Sequence, residues 1–238
     1  MSERFSASVA GRHMTCHASA NLELAIPGYA EPVEDRTADN AANRGSNMHL
    51  MFAEIMKLSN PDCFQMSKAI EYVAALRRTR RFKVLVEQPI RAEWLITRPW
   101  TTVDLVLYTA DEIHVLDLKT GVIPVEVKGN EQLLYYGVSF APLAPKAKGV
   151  TLHVVQPWAN NIDSWFVDNG ALRQFMVEAQ AAEYAIESGD LTFMPSKHCQ
   201  FCAAYPHSRA AEKGSPPCPV TMQLLYPKVV DEAEILAL

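Results

Sequence analysis

The chain has no run of about 18 apolar residues, the length a helix needs to span a bilayer, so no membrane-crossing helix is expected. Its opening, Met1 to Ala10, is polar and has no basic start leading into an apolar block, so it lacks the pattern of a secretory signal. A cytoplasmic protein without a membrane partner is the expectation. Cysteine is scarce: Cys16, Cys63, Cys199, Cys202 and Cys218 are the five in 238 residues. An odd count in such a chain argues against a disulfide framework. An excess of basic residues is also missing, with 22 Lys and Arg against 27 Asp and Glu and a net charge of −5. That balance alone weighs against a nucleic-acid partner. A local patch can override it, because phosphate contacts act within roughly 10 Å at physiological salt. Carboxylates that hold cations also raise the acidic count without repelling a phosphate once the cation is bound.

What is present suits a folded domain. The 49% of hydrophobic residues and the chain length can bury a sizeable core. One domain over 1–238 is expected, with its core at about 45–190. A short helix around Cys16 precedes a long loop, Pro27 to Asn40. Gly45 to Leu58 and Gln65 to Arg81 carry apolar residues at helical spacing. The period then changes to strands at Phe82–Ala92, Thr101–Tyr108 and Glu112–Leu118, with a turn at Asp111. A helix over Asn130–Phe140, strands over Gly149–Gln156 and Asp163–Val167, and a helix over Ala171–Ser188 follow. Pro195 to Pro219 reads as loop. The order predicts an α/β fold with a mixed central sheet flanked by helices.

Two buried-looking strands are each interrupted by an acid: Asp104 in Val103-Asp104-Leu105, and Asp117 in Leu116-Asp117-Leu118-Lys119. A buried carboxylate is costly unless paired or bound to a cation. Residues two apart on a strand share a face, so Asp117 and Lys119 project together beside Asp104. Two readings follow. One is a structural ion pair at a strand end. The other is a site for a hard cation such as Mg²⁺ or Mn²⁺, which prefers carboxylate oxygens, with a lysine to orient a water for phosphodiester hydrolysis.

The stretch resembles the PD-(D/E)XK nuclease superfamily, RecB-like branch. Gly45-Ser46-Asn47-Met48-His49 matches its Gly-x-x-x-His helix pattern, Glu87 its first-strand glutamate, Asp104 its second-strand acid and Asp117-Leu118-Lys119 its acid-x-lysine. Gln132 and Tyr136 match a Gln and Tyr four apart on the next helix, a spacing that shares one face. The resemblance implies a restriction-endonuclease-like core. It implies His49, Asp104, Asp117 and the Leu118 carbonyl as metal ligands, with Glu87 as a further ligand and Gln132 and Tyr136 facing the site. One departure is Thr101-Thr102, where the family often has a glycine before the second-strand acid.

Cys199 and Cys202 form a CxxC, a spacing typical of metal or redox chemistry. One early cysteine, Cys16, and three late ones, with Cys218, resemble the iron–sulfur members of this superfamily, the AddB-type and CRISPR-adaptation nucleases. The resemblance implies a [4Fe–4S] cluster that staples 1–25 to 195–220. The segment Arg12 to Ser19 resembles the opening of phage-encoded relatives. The gap before Cys218 is longer than usual, and it contains His207. A tetrahedral Zn²⁺ site is therefore the alternative. Cys63 has no evident partner.

Arg77, Arg78, Arg80 and Arg81 form the one dense basic run. They are candidates for guiding DNA phosphates or, alternatively, a solvated helix end favoured by the dipole. Trp94, Trp100 and Trp158 are candidates for base stacking or for packing. The expected activity is a Mg²⁺- or Mn²⁺-dependent deoxyribonuclease acting as an exonuclease on single-stranded DNA or DNA ends. A phage recombination or replication role is expected, with a protein of that pathway as partner. An end-trimming nuclease of CRISPR adaptation and a non-catalytic DNA-binding adaptor with the same fold are the rivals.

Overall fold

Between residues 83 and 118 the chain is rich in Val, Ile, Leu and Thr, breaks twice at turn-forming residues, and folds into three antiparallel strands. In the computed structural model, which describes residues 5–25, 48–53, 67–206 and 217–225, the strands are β1 (Lys83–Arg91), β2 (Trp100–Tyr108), β3 (Ile113–Leu118), β4 (Gly149–Gln156) and β5 (Asn161–Asp168). The helices are α1 (Ala10–Thr15), α2 (His17–Ala25), α3 (Ser67–Thr79), α4 (Glu131–Phe140), α5 (Asn169–Glu187) and α6 (Pro219–Leu225), with a further helical segment at 48–53. They belong to two compact units. One is drawn from Met1–Gly11 and Val33–Glu183, the other from Arg12–Pro32 and Tyr184–Leu238.

The first unit holds the sheet, in the order β1-β2-β3-β4-β5. All neighbours are antiparallel except β3 and β4, which are parallel. A parallel pair needs a crossover, and α4 supplies it. Asn130 starts that helix by accepting the Leu133 amide at 3.1 Å. The β2–β3 turn is closed by Thr109, whose amide donates to the Glu112 carbonyl at 2.8 Å. Gly149 opens β4 where a Cβ would lie 2.0 Å from the Val167 carbonyl oxygen, so no larger residue fits that close strand approach. Every residue of β3 is buried. One sheet face, with Leu105, Leu107, Leu116, Leu118 and Val155, packs on Ile70 and Val73 of α3 and on Phe52. The mixed sheet flanked by helices is the architecture that the sequence predicts.

A polar chain threads this apolar layer. Glu112 bonds His114 at 3.0 Å, His114 bonds His153 at 2.9 Å, and His153 bonds the Tyr72 hydroxyl at 2.8 Å. Burial, then the neighbouring His114, holds the His153 ring down at about 3.

In the second unit α2 is tied to the segment after α5. Asn21 donates to the Asp190 carbonyl at 2.9 Å and His17 meets the Asp190 carboxylate at 2.7 Å. The predicted loop at 195–219 contains more structure than expected: a capped 3₁₀ turn at Lys197–Phe201 and the start of α6. Apolar periodicity is too short in either to stand out in the sequence.

The buried His153 predicts acid sensitivity. Unfolded, the ring takes a proton below about 6.5; folded, it resists until about 3. Its contribution is therefore fully present above 6.5 and is lost as pH falls toward 3, on a scale of a few kcal/mol. Urea unfolding from pH 7 to pH 4.5 should show stability falling more steeply in the wild type than in His153→Gln. Parallel slopes would refute this.

Candidate functional site

Strand register gathers the acids. Val86 pairs with Leu105 and Gln88 with Val103, so Glu87 lies opposite Asp104. Leu105 pairs with Leu116, so Asp104 lies one step beyond, opposite Asp117. Three carboxylates thus fall on one line across β1, β2 and β3. Glu87 departs from extended geometry, with φ of 46°. This left-handed conformation is uncommon for a residue with a side chain and costs on the order of 1–3 kcal/mol. It interrupts the β1–β2 pairing at that one residue.

Asp104 is buried and uses both oxygens. Oδ2 accepts the Leu118 amide at 2.6 Å, and Oδ1 lies 2.9 Å from His49 Nδ1. Ligand atoms of His49, Glu87 and Asp104 all lie within 4.8 Å of one another, the spacing of a metal-binding triad. No other group of three His, Cys, Asp or Glu is that close among the described residues. Oxygen- and nitrogen-rich sets of this kind suit hard or borderline divalent cations.

Asp117 faces Lys119. The ammonium is 2.8 Å from Asp117 Oδ2, an ion pair by distance, but off the hydrogen-bonding line. That buried oxygen has no aligned donor among the described residues. Lys119 instead donates to Gln132 Oε1 at 2.7 Å, and Gln132 Nε2 donates to the Tyr136 hydroxyl at 3.1 Å. Burial pushes the Asp117 carboxyl up to about 6, against the pull of Lys119 and with the push of Asp104. The hydrogen bond to Asp104 raises His49, against desolvation. Burial, then the charge of Asp117, raises the Tyr136 phenol.

The structure therefore brings together seven of the predicted residues: His49, Glu87, Asp104, Asp117, Lys119, Gln132 and Tyr136. Gly45, Ser46, Asn47, Cys63 and His207 lie outside the described residues. The basic run is not at this site. Arg80 pairs with Asp111 at 3.0 Å and Glu112 at 2.9 Å, at the β2–β3 turn. Arg78 caps α3 through the Ala74 carbonyl at 3.1 Å. That turn is separated from Asp117 by most of β3, roughly 13 Å. A helix C-terminus attracts cations wherever it lies, and the sequence alone does not show at which strand end it falls. Trp94 is a packing residue, edge-on to Tyr135 and bonded to Ser139 at 3.0 Å. Trp100 is exposed, with Arg91 over its ring at 5.9 Å.

Gln156 is a residue the sequence reading missed. Buried at the end of β4, it accepts the Val125 amide at 3.0 Å and donates to the Gly121 and Ile123 carbonyls at 2.8 Å each. Its signal is a polar side chain closing a buried strand just after Val154-Val155 and before Pro157. In the second unit Cys16, Cys199, Cys202 and Cys218 line one small cavity, with Arg12, Ser19 and Tyr205. No three of their sulfurs lie within 4.8 Å of one another.

The fold and site define an α/β protein with a carboxylate, histidine and lysine cluster at one end of a mixed five-stranded sheet. The chain belongs to the family described as "Protein of unknown function (DUF2800)", whose family model matches residues 63–235. No curated protein matches it. Among solved structures it is similar to SSO0001, at 11% identity and a TM-score of 0.40, covering 84% of this chain and 85% of that one. It is also similar to a protein from Eubacterium rectale provisionally named an exonuclease, at 13% identity and a TM-score of 0.41, covering 96% and 98%.

Added Mn²⁺ should raise the melting temperature, because a ligand at 100 times its Kd stabilises by about 2.7 kcal/mol. His49→Ala and Asp104→Asn should abolish that response. Binding must displace protons held by His49 and Asp117, so affinity should rise from pH 6 to pH 8. A shift of equal size in all three proteins would count against the triad.

Proposed function

We propose that the chain is a metal-dependent deoxyribonuclease that cleaves phosphodiester bonds at DNA ends. The observation that carries this is the line of Glu87, Asp104 and Asp117 across three strands, with His49 at one side and Lys119 at the other. His49, Glu87, Asp104 and Asp117 would hold one or two Mg²⁺ or Mn²⁺ ions. The Leu118 amide faces Asp104, so the backbone there, its carbonyl included, is a further candidate ligand. Bound cation neutralises phosphate charge and acidifies a coordinated water.

The protein's own groups do the rest. Lys119, held between Asp117 and Gln132, orients the attacking water and stabilises charge on the phosphoryl oxygens. Gln132 fixes the ammonium, and Tyr136 fixes Gln132. Water forms the new bond to phosphorus and gives up a proton, the bond to the leaving deoxyribose oxygen breaks, and that oxygen takes up a proton from solvent. A role in phage recombination or replication is the preferred setting, by the resemblance of the motifs.

The four cysteines around one cavity support a metal centre in the second unit. Four thiolates on a single Zn²⁺, at about 2.3 Å each, would sit within about 4 Å of one another. The resemblance of the cysteine arrangement favours a [4Fe–4S] cluster over that single ion. Ser196 N–H donates to Cys199 Sγ at 3.3 Å, the kind of contact that steadies a thiolate.

Two measurements test the reading. End-labelled single- and double-stranded DNA with Mn²⁺ or Mg²⁺ should be degraded by the wild type. Asp117→Ala and Lys119→Ala should lose about a thousandfold or more of the rate. Equal activity in all three would refute the assignment. Anaerobically purified protein should be brown and absorb near 400 nm, with iron rather than zinc by elemental analysis; a colourless zinc protein would leave the nuclease reading intact and remove the cluster.

A further inference from the structure

Between Lys119 and α4 the chain crosses a loop that has two unusual properties together. Its tip is apolar and open: Val122 is 74% exposed and Ile123 is 80% exposed. Its backbone is nevertheless fixed. Gln156, itself 1% exposed, binds Gly121, Ile123 and Val125 from below. Asn161 adds a bond from its side chain to the Val125 carbonyl at 2.9 Å and another to Gln156 Oε1 at 3.0 Å. The far end of the loop is anchored by buried Val127 and by the Asn130 cap of α4.

Single exposed apolar residues are common and need no explanation. An adjacent pair on a loop held by four side-chain hydrogen bonds is different, because such holding is not needed to leave two side chains in water. The tip begins three residues after Lys119, at most about 11 Å along the chain. Val122 and Ile123 are thus the exposed apolar pair that the chain sets next after Lys119, on the nuclease reading the residue that meets the phosphate. Apolar side chains at such a place act on nucleic acid by inserting against or between stacked bases, not by hydrogen bonding.

We infer that Val122 and Ile123 form a rigid wedge that packs against the terminal base pair of a DNA duplex and separates its strands, feeding one strand past Lys119. The inference rests on the nuclease reading and gives that site its substrate: a duplex end. Fixing matters because a flexible tip would fold away instead of resisting restacking. Unstacking a base step is uphill, and a mobile loop does not hold against it.

The test uses the full chain with Ca²⁺, which carboxylate oxygens hold, and a duplex oligonucleotide that carries 2-aminopurine at a terminal position and phosphorothioate linkages at its ends to block cleavage. Binding is followed separately by anisotropy of a fluorescein on the same duplex. Wild-type binding should raise 2-aminopurine emission severalfold. Val122→Ser with Ile123→Ser should bind with comparable affinity and produce no rise; Val122→Ala with Ile123→Ala serves as a second, milder pair. Gln156→Ala, which frees the loop but keeps the wedge residues, should lower the rise. With Mn²⁺ the double serine variant should lose about tenfold on blunt duplex and little on single-stranded DNA. A wild-type complex without any rise, an unchanged rise in both double variants, or equal losses on both substrates would overturn the wedge while the nuclease stands. A wild type that binds no DNA would overturn both.

Discussion

The Asp104 carboxylate ties the site together. One oxygen accepts the Leu118 amide and the other faces His49, so one side chain joins β2, the end of β3 and the segment 48–53. Because the strands are in register, fixing Asp104 also fixes Glu87 and Asp117 on either side of it. Three carboxylates in one row repel one another, and in a buried setting that repulsion is strong. The cluster limits it in two ways. Lys119 supplies a positive charge beside Asp117, and protons are held more tightly than usual at Asp117 and His49. A divalent cation satisfies the same demand by replacing protons with charge. The perturbed groups and the metal-binding geometry are two expressions of one electrostatic constraint.

Glu87 shows what that constraint costs. A glutamate with φ of 46° in the middle of a strand is a strained residue, and glycine would adopt the same backbone freely. Glycine would leave the triad without its second acid. The strain is tolerated because the pairs on both sides, Val86 with Leu105 and Gln88 with Val103, keep the ladder intact around it. Such outliers accumulate where a side chain must be aimed and not merely accommodated.

Much of this was legible in the sequence, for identifiable reasons. The central strands alternate or run apolar between turn residues, so β2, β3 and β4 stand out to within a residue. The acids stand out because each breaks an apolar run, and the i, i+2 rule places Lys119 beside Asp117. Pairings between distant segments were not legible from patterning. His49 against Asp104, His114 against His153 and Gln156 beneath the Gly121–Val125 loop depend on which strand ends meet, which the order of elements does not state. The basic run shows the same limit. Its composition suggests phosphate binding, but register sets Arg80 beside Asp111 and Glu112 at the other end of β3. Short elements held by capping, such as the Lys197–Phe201 turn, leave no periodic trace at all.

The placement of Arg80 bears on how an acidic protein would handle an acidic substrate. With that guanidinium shared between two carboxylates, the run that looked most cationic is partly neutralised. Lys119 is the amine the structure sets against the acids, and Asp117 already offsets it. Attraction for a phosphate then has to come chiefly from cations seated on the row itself, which turn a locally negative surface positive at the moment the site becomes competent. Under the proposed function, substrate binding and catalytic readiness would share one cause. An unloaded site would repel DNA, and the net charge of −5 would be compatible with a nucleic-acid enzyme because the compensating charge is recruited and not encoded.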